Sequence, residues 1–372
     1  MPEEPSKPLF DLSLSDEQQL MRDSARKFAE AEMRPVARKY DEAGETPQSF
    51  YDKTLELGVN AVQIPESCGG FGAARSPIAN TLLVEDLAWG DMSLALGALS
   101  SLSFINTVLD QGTETQQAAL LPRFSEDGFH PAALALVEPG VRFDAKKLKT
   151  KAARRGNGYV LLGEKTLVPF GSDAEQLLVF AELEGEGPAA FVVDPKQRGV
   201  SSTREAFMGL RPLSLSRVKL ENVEVSAASK LGEQTPLNLE RVIDLSRIGT
   251  AALAVGVCQA VLDYTKNYCN ERVAFGEPIT HRQSVAFMLA DIAIELDGMR
   301  LLTYRAASRA EQGLPFKRDA YLAQLQAAEK GMKIGTDGVQ LLGGHGFIRE
   351  HLVELWYRNL RAISLLQGSL PV

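Results

Sequence analysis

Basic excess is missing from this chain: 40 Lys and Arg stand against 48 Asp and Glu, a formal net charge of −8. No face is therefore expected to hold a polyanion, which argues against a nucleic-acid partner. Cysteine is scarce, with Cys68, Cys258 and Cys269 scattered and odd in number. That excludes a disulfide framework and leads us to expect reduced thiols in a cytoplasm. Four histidines, none at Cys/His ligand spacing, give no metal site. No apolar run reaches the roughly 20 residues of a bilayer span. Met1-Pro2-Glu3-Glu4-Pro5 lacks the charged-then-apolar order of a signal and reads as a short disordered lead. Repeats and low-complexity segments are absent as well.

What remains is ordinary globular composition, 45% hydrophobic and 24% charged, over 372 residues, enough for two or three domains. Ser15-Asp16-Glu17-Gln18 forms a capping box that opens a helix carrying Leu20, Ala25 and Phe28. Helix continues over Ala31–Tyr40 around Pro35, and another spans Phe50–Leu57, stopped by Gly58. The loop from Ile64 to Gly72 is full of turn formers, and no Lys-Ser/Thr follows to make a phosphate cradle. Pro77–Leu121 reads as two helices with Ser100-Ser101 between them. Near Pro131 the helical period fades, and β-rich runs follow at Leu134–Val137, Tyr159–Leu162, Leu177–Ala181, Ala190–Val193 and Arg217–Val225. Helices return at Leu237 and persist to Leu365. The expected architecture is mostly α with a middle β domain: an N-terminal helical domain (1–130), an antiparallel β domain (131–232) and a C-terminal four-helix bundle (233–372).

The most informative stretch runs from Ser246 to Asp291. An Ala/Leu/Val-rich helix reaches Tyr268 and Arg272, and a break follows at Phe275-Gly276-Glu277-Pro278. A second helix carries Val285, Met288, Leu289, Ile292, Leu296 and Met299 on one stripe. Gly276 and Pro278 stop the first helix, and Arg272 suits its negative C-terminal end. Taken alone, this is a helical hairpin in which Arg272 is a cap and Gln283 a solvated amide. As a full string, Arg272-x-x-Phe275-Gly276 with Gln283 beyond resembles the C-terminal domain of the acyl-CoA dehydrogenase family, in pattern closest to its short- and medium-chain members. The later string Gln340-Leu341-Leu342-Gly343-Gly344 is similar to a second family motif. The resemblance covers essentially the whole chain. It implies that Arg272, Phe275, Gln283, Gln340, Gly343 and Gly344 meet the ADP part of a neighbouring subunit's FAD.

The same resemblance exposes losses. The family's base is a carboxylate that removes a proton α to a thioester, while the flavin takes the β-hydrogen as hydride. Its usual Glu is here Gln367, which cannot accept a proton from carbon. The other known seat, just before the Arg matched by Arg247, is Ser246. Glu240 and Asp244 lie nearby but out of register, and Glu240 suits the first helical turn on dipole grounds alone. The string Val137-Glu138-Pro139-Gly140-Val141-Arg142-Phe143-Asp144 puts Val137 where the family's Thr bonds the flavin ring, and bulky Arg142 and Phe143 near thioester entry. In Lys165-Thr166-Leu167-Val168-Pro169, Leu167 replaces the Trp that covers the flavin and Pro169 replaces a Thr. The resemblance thus implies an FAD-dependent oxidoreductase of acyl-CoA or acyl-carrier-protein thioesters with altered chemistry, as a homodimer or homotetramer, with electron-transfer flavoprotein as redox partner. It equally admits a non-catalytic subunit of a heterotetramer with a paralogue. FAD is expected to be weakly held or shared.

Overall fold

The computed structural model describes residues 13–141 and 143–372. The disordered lead expected at residues 1–5 and the position of Arg142 lie outside the described residues. The Ser15 capping box is present and opens α1 (Asp16–Phe28); Ala25 and Phe28 are buried, whereas Leu20 faces solvent instead of the core. A π-helical turn (Ala29–Met33) leads to α2 (Ala37–Ala43) and α3 (Gln48–Thr54), whose 3-10 extension stops at Gly58.

The two helices expected between Pro77 and Leu121 are four: α4 (Pro77–Gly90), α5 (Met92–Ala98), α6 (Ser100–Gln111) and α7 (Glu114–Leu120). Caps explain the difference. Asp91 takes an extended conformation and its Oδ1 accepts the Ser93 and Leu94 amides, while Thr113 and Gln116 form a second capping box. Ser100-Ser101 open α6 and do not separate two helices.

Asp91 is buried, and its Oδ2 has no protein partner among the described residues. Burial pushes its pKa up from 3.8 to about 6, against the pull of the two cap amides and Arg34. Between those values the folded chain holds more protons than the unfolded one, so stability falls as pH rises through the window. Asp91→Asn keeps the cap and removes the charge. Urea melts should show it more stable than the parent by up to about 3 kcal/mol at pH 7–8, with the difference vanishing near pH 4. A pH-independent difference would refute this role of the carboxylate.

The middle domain is a seven-stranded sheet: β1 (Ala132–Ala135), β2 (Lys151–Arg155), β3 (Gly158–Pro169), β4 (Gln176–Leu183), β5 (Gly187–Val193), β6 (Val200–Arg204) and β7 (Leu215–Ser226). The order is β1-β4-β2-β3-β7-β6, with β5 on β4. Most pairings are antiparallel as expected, but β4 runs parallel to β1 and β2. Strands β2 and β6 escape sequence reading because Lys-Ala-Ala-Arg-Arg and Val-Ser-Ser-Thr-Arg show no apolar alternation.

The C-terminal domain consists of α8 (Leu239–Glu271), a hairpin of β8 (Val273–Ala274) and β9 (Glu277–Pro278), α9 (Gln283–Glu311), α10 (Lys317–Leu342) and α11 (Val353–Leu360). The expected four-helix bundle is thus three long helices and one of eight residues. On α9, Ile292, Leu296 and Met299 are buried as the stripe requires. Helix α8 is long and apolar enough to cross a bilayer, but 83% of its apolar window is packed inside the protein, as in a core helix.

Candidate functional site

Three groups of residues flagged in the sequence fall at three places. The first is a groove of about 520 Å³ between the end of α8 and the end of α10, lined by Tyr268, Arg272, Ile279, Gln340, Gly343, Gly344 and His345. Helix α8 ends at Glu271, and the Arg272 amide donates to Tyr268 O (2.8 Å). Phe275 and Gly276, at φ 58° and 88°, form the two-residue turn of the β8–β9 hairpin. Positive φ suits Gly276 but strains Phe275, which is 94% exposed and has the Arg282 guanidinium over its ring at 5.6 Å from the centroid. Gln283 is the first residue of α9 and is exposed. The side chains of Arg272, Gln283 and Gln340 make no hydrogen bond or ion pair among the described residues. A Cβ at Gly343 or Gly344 would meet nothing within 4 Å, so the backbone there is open to an incoming group. Exposed Arg and amide groups beside bare backbone suit a pyrophosphate and its ribose. The ADP half of FAD fits this groove.

The second place is a smaller pocket of about 220 Å³ whose lining includes Gln367, Phe143, Asp244, Arg247 and Glu240. Glu240 is exposed in the first turn of α8 and accepts from Lys146 Nζ (2.5 Å) and Lys317 Nζ (2.8 Å). Those two lysines hold its pKa down at about 2, so it makes a poor proton acceptor. Asp244 is different: it is buried, and Arg247 Nη1 donates to its Oδ1 (2.7 Å). Burial raises its pKa, and Arg247 opposes the rise. Sequence register had set Asp244 aside. The available signal was its i, i+3 and i, i+4 spacing to Arg247 and Glu240, one face of one helix. Ser246 does not face this pocket's lining; it is buried, and its Oγ accepts from the Leu370 amide (3.2 Å).

The third place is the ring-side pair of strings. Val137 uses its carbonyl to accept from the Thr166 amide (2.9 Å) and offers no side-chain donor. Leu167 sits at φ 56° where the β3–β7 register shifts between Lys165 and Val168, and Pro169 is buried. Next to them in the chain is a pair that sequence reasoning missed. Lys165 is 0% exposed, and its Nζ donates to Glu138 Oε1 (2.9 Å) and Leu136 O (3.2 Å). Glu138 also accepts the amides of Lys149 (2.7 Å) and Thr150 (2.8 Å). Burial pushes Lys165 down to about 8, opposed by Glu138. Burial works against the Glu138 carboxylate too, but Lys165 and the two amides prevail and hold its pKa below the usual range.

Known proteins match this chain over 96% of its length. Three domain models match: acyl-CoA dehydrogenase N-terminal domain at residues 15–127, middle domain at 133–223 and C-terminal domain at 238–372. The chain is 33% identical to the caffeyl-CoA reductase-Etf complex subunit CarC of Acetobacterium woodii, over 96% of each chain. It is 32% identical to the mitochondrial short-chain specific acyl-CoA dehydrogenase of Bos taurus, over 96% of this chain and 88% of that one. The structure of butyryl-CoA dehydrogenase from Megasphaera elsdenii superposes with a TM-score of 0.88 at 29% identity, over 95% of both chains.

Proposed function

The chain belongs to the acyl-CoA dehydrogenase family, and on that premise we propose that it is a flavoprotein subunit of an acyl-thioester dehydrogenase, one that grips the ADP half of an FAD whose ring contacts and base come from a paralogous neighbour. Members of the family bind FAD and act on thioesters of CoA or carrier protein. The observation that carries the proposal is an asymmetry. The ADP-side groove is open, with Arg272 and Gln340 on its lining unengaged among the described residues, while Gln283 lies exposed outside that lining at the start of α9. The ring side, by contrast, holds Val137, Leu167 and Pro169, which offer no side-chain donor, and the two base seats hold Gln367 and Ser246, neither of which is a carboxylate. When bound, FAD supplies the hydride acceptor. This chain's residues supply grip: Arg272 sets charge against the pyrophosphate, and Gly343-Gly344 lets it approach the backbone. On α9, exposed Phe287, Ile294 and Leu301 recur every seven residues, an apolar stripe suited to burial in an oligomer. The CarC relative's membership of an Etf complex supports electron-transfer flavoprotein as the acceptor for the assembled pair, which we place in the cytoplasm.

Without a general base the chain alone should turn over about two to four orders of magnitude below a family enzyme that has one. Co-expression with a paralogue carrying Glu, Thr and Trp at the eroded positions should yield a stable complex. It should hold about half the FAD per chain of a homotetramer, because one site is shared by each unlike pair. Failure to copurify, or stoichiometric FAD held by this chain alone through extensive dialysis, would remove the proposal.

One observation favours a second reading, a homo-oligomeric flavoenzyme with a displaced base: buried Asp244 lines the same pocket as Gln367. Turnover by the chain alone that Asp244→Asn abolishes and Gln367→Ala spares would establish it.

A further inference from the structure

The segment that follows Gln367 has no role in the function just described, yet it is held at several points. The chain turns at Gly368, with φ 70°, and the Leu370 amide donates to Ser246 Oγ on α8. From there it runs inward. Leu370 and Val372 are each 1% exposed. The Pro371 carbonyl accepts from Asn106 Nδ2 of α6 (3.0 Å), and the Val372 carbonyl accepts from Arg75 Nη2 (2.5 Å). The Leu370 carbonyl lies so near α8 that a Cβ on Gly249 would stand 2.1 Å from it, so only glycine admits the segment there. Asn106 is itself buried, and Arg75 is bound on its other side to Asp110.

The position of this segment matters because of what must pass it. The base seats at Gln367 and Ser246 mark where the α-carbon of a thioester would lie. The head of the thioester would enter from the pocket side, which Phe143, Asp244, Arg247 and Gln367 bound. The rest of an acyl chain has to continue away from that entrance, past Gln367, into apolar surroundings. The interior beyond Gln367 is taken by the side chains of Leu370 and Val372, branched aliphatic groups of the kind an acyl chain would otherwise place there. One of the two seats, Ser246, is spent on holding them. We propose that residues 368–372 occupy the acyl-chain position of this chain's own site, so that an acyl group long enough to reach Leu370 finds no buried place there and adds no affinity. This rests on the assignment of the Gln367 pocket as the thioester site. It explains why that pocket is small while the ADP-side groove is open.

The test is isothermal titration of the full chain with acetyl-, butyryl- and octanoyl-CoA. An open acyl site tightens binding by about fourfold for each methylene buried. The wild-type chain should show no such rise, its octanoyl-CoA affinity staying within about threefold of that for acetyl-CoA. The double variant Leu370→Ala/Val372→Ala empties the position, and octanoyl-CoA should then bind at least about tenfold tighter than acetyl-CoA. A wild-type series that climbs with length, or a folded double variant whose series stays flat, overturns the proposal. Should the double variant fail to fold, the wild-type series still decides, and Asn106→Ala, which removes one anchor of the segment, should show the same rise in smaller degree. Flavin content and copurification, on which the shared-FAD reading depends, are read separately from every one of these results.

Discussion

Arg272→Ala is expected to strip FAD from the assembled pair while leaving this chain folded. Its guanidinium lines the groove and makes no hydrogen bond or ion pair among the described residues, so its removal breaks nothing internal. Toward a pyrophosphate it would make charge-assisted hydrogen bonds, each worth about 1.5–3 kcal/mol, or about 10- to 150-fold in FAD affinity. The flavin absorbance of the complex after gel filtration reads the loss, and circular dichroism verifies that the chain is intact. The distinguishing point is whose flavin is lost: the ring contacts and the carboxylate belong to the neighbour, yet a change in this chain should empty the site. Unchanged flavin content in the variant complex would sink the shared-site reading.

The largest stability effect is expected at Glu138. Glu138→Ala would leave Lys165, fully buried, without the carboxylate that pairs with it among the described residues, and would orphan the amides of Lys149 and Thr150. Breaking a buried pair from one side destabilises by about 3–5 kcal/mol, because an uncompensated charge remains. Lys165, already pushed down to about 8, would shed its proton more readily still. Replacing both partners together, as Glu138→Leu with Lys165→Met, should recover part of the loss, since apolar groups of similar volume leave the two amides and the Leu136 carbonyl unanswered but no buried charge. Chemical denaturation of the two single variants and the double variant gives the coupling directly. If Glu138→Ala costs less than about 1 kcal/mol, the pair does not hold the ring-side strings together as the geometry indicates.

These two sites differ in how legible they were. Arg272, Gln283, Gln340 and the Gly343-Gly344 pair were flagged by strings that resemble the family's; local signals alone marked only the helix ends at which they lie. Glu138 and Lys165 were both visible in the quoted strings, but nothing local says that a lysine 27 residues on will be buried against that glutamate. Asp244 was read as out of register because register was judged along the chain. In the fold it is the helix face, shared with Arg247 and Glu240, that turns it toward Gln367.

The sequence by itself determined the helix ends written by their caps, the shift to β structure near Pro131, the helix–break–helix around Phe275-Gly276, and the chemistry that Gln367 and Ser246 cannot perform. These follow from bonds that close within about four residues, or from the identity of a side chain, which folding does not alter. Only the tertiary structure decided the parallel pairing of β4 with β1 and β2, the polar strands β2 and β6, the meeting of Asp244 with Gln367, and the path of residues 368–372 into the interior. Each of those depends on groups far apart in the chain, as Ser246 and Leu370 are by 124 residues. Strand partners and buried slots are chosen by the packing of distant segments, and no local propensity encodes that choice.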